Sequence, residues 1–130
     1  MSTYLIKNAK IVNEGQIFEG DVLVENDIIK EIAEKISPKS SECIIVDAEG
    51  NYLIPGVIDD QVHFREPGAP AKGSIHTESR AAVAGGITSF MDMPNTQPAT
   101  LTLEALADKK CRAAINSVAN YGFHFGVSQD

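Results

Sequence analysis

The sequence predicts an α/β fold: a small N-terminal β-domain, then the first three strands and two helices of an incomplete (β/α)8, TIM-like barrel. Three observations carry this. The hydrophobic pattern changes character at Pro55, from short alternating strands to strand–helix alternation. Strand starts at 57, 87 and 123 lie 30 and 36 residues apart, the rhythm of βα units that build a parallel sheet. The 130 residues fall short of the ~200 or more that a closed barrel needs, and no helix follows the third strand, so the chain reads as the front piece of something larger.

Over residues 1–54, "YLIKNAKIV" and "DVLVEND" alternate and are rich in β-branched residues, with "NEG" and "FEG" as punctuation. "IIKEIAEKI" fits a strand or a helix, and "ECIIVDAEGNYLIPG" reads as two short strands joined at "AEGN". Small antiparallel β-structure is expected, needing further cover. From Pro55, "GVIDDQVHF" is a strand that opens apolar and turns polar. "SIHTESRAAVAGG" is a helix with Ser74 as N-cap, Glu78 in the first turns and Gly85-Gly86 as the stop. "ITSFMDMP" is the next strand. Leu103, Leu106, Ala107, Cys111, Ala114, Ile115 and Val118 recur at helical spacing, giving a helix from about Thr102 to Ala119. Asn120-Tyr121-Gly122 ends it, and "FHFGVS" starts the third strand.

Bulk properties exclude more than they assign. A hydrophobic content of 43% with 22% charged residues is that of a globular protein. The net charge of −7 argues against nucleic acid or an anionic membrane surface as partner. No apolar run approaches the ~20 residues of a membrane span, and the N-terminus does not read as a signal peptide. Cys43 and Cys111 lack any metal or redox spacing; two reduced, buried thiols in a cytoplasmic protein are expected.

The chemistry concentrates in "IDDQVHFREPG", Ile58 to Gly68. In an extended strand Asp59, Gln61, His63 and Arg65 share one face, at the C-terminal end where α/β enzymes place their sites. Asp60 faces the other way and reads as structural or solvent-facing. Taken alone, His63 is more simply a hydrogen-bonded core histidine than a ligand. Arg65 could equally form a surface ion pair with Glu66, and Asn95 after Pro94 fits plain turn chemistry.

"PGVIDDQVHFREPG" resembles the metal-binding signature of the dihydroorotases, in the cyclic amidohydrolase superfamily. Their pattern is Pro-Gly, then Asp-x-His-x-His-x-Arg, then Glu-Pro-Gly. "ESRAAVAGGITSFMDMPNTQP" resembles the helix, Gly-Gly-x-Thr strand and Met-Pro-Asn-Thr loop of the same family. The resemblance covers essentially the whole chain. It implies a β-domain (residues 1–54) forming part of a composite β-sandwich, and the N-terminal part of a metal-dependent hydrolase barrel (55–130). It implies a cytoplasmic zinc enzyme of pyrimidine synthesis interconverting N-carbamoyl-aspartate and dihydroorotate, with metal-activated water attacking a ring amide carbonyl. This small molecule is the expected partner, with no nucleic acid and no membrane; homo-oligomerisation stays open.

Position by position, the resemblance makes His63 the second ligand of the His-x-His pair. Arg65 grips the substrate carboxylate in a planar fork, and Asn95 hydrogen-bonds the same group. No catalytic residue is expected within this chain: a bridging carboxylate or carboxylated lysine, two further histidines and a catalytic aspartate belong to later strands. Gln61 departs from the pattern at the first-ligand position, where a carboxamide is a weak ligand at most. One zinc per full-length chain is expected, with a second metal doubtful. "GAPAKG" is a second, smaller departure. His76 reads as a surface or capping residue, His124 as core or barrel-lining, and Lys72 as solvated.

Three other readings stay open at this point. An allantoinase or hydantoinase is the nearest, disfavoured because Arg65 with Asn95 suits an acidic substrate. A non-catalytic dihydroorotase-like partner protein is kept alive by Gln61. A self-contained binding module is disfavoured by the uncovered third strand. The fragment alone is expected to be inactive.

Overall fold

A computed structural model describes residues 2–38 and 40–127. The chain divides into two compact units, Met1–Pro55 and Gly56–Asp130.

The first unit is a five-stranded sheet. β1 (Thr3–Asn13), β2 (Gln16–Glu25) and β3 (Ile28–Ala33) form an antiparallel meander. Its two hairpin loops each hold two residues at positive φ, Glu14-Gly15 and Asn26-Asp27, the backbone that matches strand twist across a tight turn. The ambiguous "IIKEIAEKI" is therefore a strand at its start. β4 (Ile44–Asp47) and β5 (Tyr52–Leu53) are the two short strands around "AEGN", but both pair parallel to β1, so the sheet is mixed, not purely antiparallel. "FEG" does not punctuate either: Gly20 sits inside β2, where a Cβ would lie 2.8 Å from the Ala33 carbonyl oxygen. Leu5, Leu23 and Ile36 form one buried cluster, and Ala9, Ile11 and Val22 another. Asp21 is buried, and its carboxylate accepts the amides of Asn8 and Ile36 at 2.9 Å each.

The second unit is a three-stranded sheet in the order β6 (Val57–Val62), β7 (Ile87–Asp92), β8 (Asn120–Phe123), parallel throughout as the βα spacing predicts. α1 (Ile75–Ala84) and α2 (Leu103–Asn116) are the crossovers. Ser74 caps α1 as expected, in a reciprocal box with Thr77, and Thr102 caps α2. The third strand begins three residues earlier than expected: Asn120-Tyr121-Gly122 pairs with Ser89-Phe90-Met91 instead of ending the helix. The core joins Phe64, Ile75, Phe90, Ala113 and Ala119, with the Phe64 and Phe90 rings 4.6 Å apart.

α2 does not bury its apolar stripe. Its buried positions are Lys109 and Ala113, whereas Leu103 and Ile115 are 74% and 84% exposed. Lys109 turns in because an aspartate at the end of β7 needs a counter-charge, and Ala113 is small enough to let the helix approach. Cys111 consequently lies exposed, contrary to expectation, and Cys43 is half-buried; both thiols are free.

Candidate functional site

Site residues gather in two loops at the C-terminal end of the parallel sheet. The first follows β6, which ends at Val62, so His63 and Arg65 lie in the loop and not on a continued strand. Register also shifts between Asp59 and Val62, and the Gln61 amide donates back to Asp59 Oδ1 at 3.1 Å. The single strand face expected to carry Asp59, Gln61, His63 and Arg65 is thus broken by a bulge, a device that re-aims side chains near sites. The second loop runs from Met93 to Thr102 after β7.

The loops are tied together at three levels. The Met93 amide bonds the Val62 carbonyl at 2.9 Å and the Gln97 amide the Pro67 carbonyl at 3.2 Å. Gly68, at φ +110°, lets the backbones close: a Cβ there would sit 2.6 Å from the Gln97 carbonyl oxygen. Between side chains, His63 Nδ1 lies 3.0 Å from Asn95 Oδ1. An amide oxygen only accepts, so Nδ1 of His63 is the donor in this contact, which in the neutral ring puts the lone pair on Nε2.

Arg65 and Asn95 line one cleft of about 340 Å3, together with Lys72, Thr96 and Gln97. Its lining holds two cations and no acid, in a chain of net charge −7. The alternative of an Arg65–Glu66 ion pair does not occur among the described residues. Glu66 instead accepts the Ile75 amide at the start of α1 (3.0 Å) and faces Arg112 at 3.3 Å. Arg65 is exposed and keeps its donors available. Lys72 is solvent-exposed as expected but belongs to the cleft, a placement its loop sequence does not signal.

Zinc is the metal implied here, and the donor set tests it. His63 offers one well-oriented imidazole nitrogen. Among the described residues no three His, Cys, Asp or Glu side chains come together as a metal site. His63 therefore fits as a single ligand, while the described residues do not by themselves make a zinc site. Gln61 is exposed, and so is Asp60, whose carbonyl lies 2.9 Å from His124 Nε2. His124 sits just past β8, partly buried, and its amide bonds the Asp92 carbonyl. His76 is exposed in the first turn of α1.

One pair escaped sequence reading. Asp92 and Lys109 are both fully buried, with Asp92 Oδ2 at 2.6 Å from Lys109 Nζ. Burial pushes the Asp92 carboxyl above its ordinary value, against the opposing pull of Lys109. A lysine on a polar-looking helix turn and an aspartate inside "SFMDMP" carry no spacing signal that joins them.

Residues 50–124 match the dihydro-orotase-like family. A dihydroorotase of Methanosphaera stadtmanae is 40% identical over 98% of this chain, and one of Staphylococcus aureus is 42% identical over 77%. This chain spans 29% and 23% of those two relatives' lengths. Among solved structures, an L-hydantoinase from Arthrobacter aurescens superposes with a TM-score of 0.89 at 31% identity, over 97% of this chain and 28% of that one. A D-hydantoinase from a Thermus species gives 0.83 at 32% identity, over 96% and 28%.

Proposed function

The chain belongs to the dihydro-orotase-like family, and from that premise we propose that the protein is a dihydroorotase, a zinc-dependent cyclic amidohydrolase interconverting N-carbamoyl-aspartate and dihydroorotate in pyrimidine synthesis. In this reading residues 56–130 supply the opening strands of a (β/α)8 barrel whose later strands bring the remaining ligands and the catalytic carboxylate. The 130-residue chain alone is inactive.

The observation that carries the reading is the cleft that Arg65 and Asn95 both line, with no acidic residue in its lining. Arg65 presents a planar fork to the substrate carboxylate, and Lys72 adds positive potential at the mouth. Asn95 has its Oδ1 occupied by His63, so its amide N–H groups remain to donate to the same carboxylate. That bond also fixes the His63 ring with Nε2 open, the arrangement a metal-binding histidine needs. Zinc, when bound, supplies Lewis-acid polarisation of the amide carbonyl and activation of water. Two cations in the cleft favour an acidic ring substrate over a neutral one such as a hydantoin.

Gln61 sustains a second reading, a non-catalytic relative, because it offers no imidazole at the first-ligand position. Metal analysis of the dialysed full-length protein, together with a dihydroorotate hydrolysis assay, separates the two. One zinc per chain with turnover supports the dihydroorotase. No zinc and no turnover supports the non-catalytic relative.

A further inference from the structure

We propose that the buried Asp92–Lys109 pair is a positioning device that holds His63 and Asn95 in register with each other; the inference rests on reading those two residues as site groups.

Both side chains are 0% exposed. Removing two charges from water costs more than their attraction reliably returns, and an aliphatic pair of similar volume often serves stability equally well. What an aliphatic pair cannot do is make the two directional bonds that leave this one. Asp92 Oδ1 accepts the backbone N–H of Phe64, the residue between His63 and Arg65, at 2.9 Å. Lys109 Nζ donates to the Met93 carbonyl at 3.0 Å, two residues before Asn95. Each partner thus grips the root of one site loop, and the 2.6 Å ion pair locks the two grips together. The Phe123 ring covers the ammonium, 5.0 Å from its centroid. Among the described residues Lys109 is the side chain that reaches Asp92 Oδ2, so that buried oxygen loses its counter-charge without it. The 3.0 Å bond between His63 Nδ1 and Asn95 Oδ1 spans the same two loops and inherits their spacing.

The test reads the His63 ring in the 130-residue chain by long-range 1H–15N correlation, at a pH where the imidazoles are neutral. Wild-type protein should show His63 with its proton on Nδ1. His124 is the internal control, its proton held on Nε2 by the Asp60 carbonyl. In the Asp92→Leu/Lys109→Met variant, His63 should average between tautomers and the Phe64 amide should exchange about tenfold faster or more, with His124 unchanged. The Asp92→Asn/Lys109→Gln variant keeps an acceptor for Phe64 and a donor for Met93, and should restore the wild-type His63 signal. A folded Leu/Met variant with a wild-type His63 ring overturns the proposal, as does a wild-type protein in which His63 samples both tautomers. If the Leu/Met variant does not fold, the Asn/Gln variant decides: a wild-type His63 signal supports the device and an altered one overturns it. Failure of both to fold makes the pair a fold determinant and also overturns it. Neither metal nor turnover enters these readouts, so their failure leaves the dihydroorotase reading standing, and loss of that reading leaves the tether measurable.

Discussion

His63 and Asn95 constrain each other. The carboxamide oxygen can only accept, so its 3.0 Å contact makes Nδ1 the donor and leaves the carboxamide nitrogen to bond elsewhere. In the full-length protein, Asn95→Ala should therefore do two things at once: raise KM for dihydroorotate and weaken zinc retention, by about tenfold or more as for other partners of metal-bound histidines. Competition with a chelator reads the second effect directly, and unchanged retention would detach Asn95 from His63. Gln61 is the complementary case. Gln61→His should raise metal affinity or stoichiometry on dialysis if the position faces the metal. Two zinc per chain in unmodified protein would show that the glutamine costs nothing.

At the scale of elements, the two site loops approach so closely that only a glycine fits at residue 68. Gly68→Ala would bring a Cβ to 2.6 Å from the Gln97 carbonyl oxygen, at a φ of +110° that side chains rarely adopt. Separation of the loops should open the cleft, raising KM well before the fold is lost; thermal melting beside kinetics distinguishes the two. In the first unit the corresponding critical contact is Asp21. Burial alone would raise its pKa, but the Ile36 and Asn8 amides, helped by Lys7 and Lys35, hold it below the ordinary carboxylate value. A folded-state pKa below the unfolded one gives stability that is present above the unfolded value and lost as pH falls through the folded one. The β-domain should therefore loosen in acid below about pH 4. Asp21→Ala should cost about 1–3 kcal/mol for each stranded amide and flatten that acid dependence in denaturant titrations.

Most elements were legible in the sequence because their signals are local. Ser74 caps a helix, "NEG" turns a hairpin at Glu14-Gly15, and the repeat of strand and helix specifies parallel pairing. Several misses share a cause, which is that partners distant in sequence decided them. β4 and β5 run parallel to β1 because of where the chain returns, not because of anything in "CIIVD" or "NYL". The apolar stripe of α2 predicts a buried face, but Asp92 draws Lys109 inward and leaves Leu103 and Ile115 outside. Arg65 and Asn95 could be nominated from motifs, whereas Lys72 in their cleft and the tether beneath them appear only in three dimensions.

At the scale of the whole molecule, apolar surface remains open on both units. Ile28, Ile29 and Ile45 in the first sheet, and Ile58, Leu103 and Ile115 in the second unit, are each more than half exposed. Exposed large apolar side chains in this number promote association, so light scattering of the isolated chain should show a concentration-dependent mass above the monomer. No helix among the described residues is long and apolar enough to cross a membrane. If Arg65, in one cleft with Asn95, holds the carboxylate of an acidic ring substrate, the difference is read most directly in kcat/KM for dihydroorotate and for a neutral hydantoin, in full-length wild-type protein and in Arg65→Met at unchanged zinc content. Wild-type protein should prefer dihydroorotate, and the variant should lose more than tenfold for that substrate alone, about 1.4 kcal/mol or more of transition-state binding. Equal values for wild type and variant, or a wild-type preference for the hydantoin, would contradict that role of Arg65.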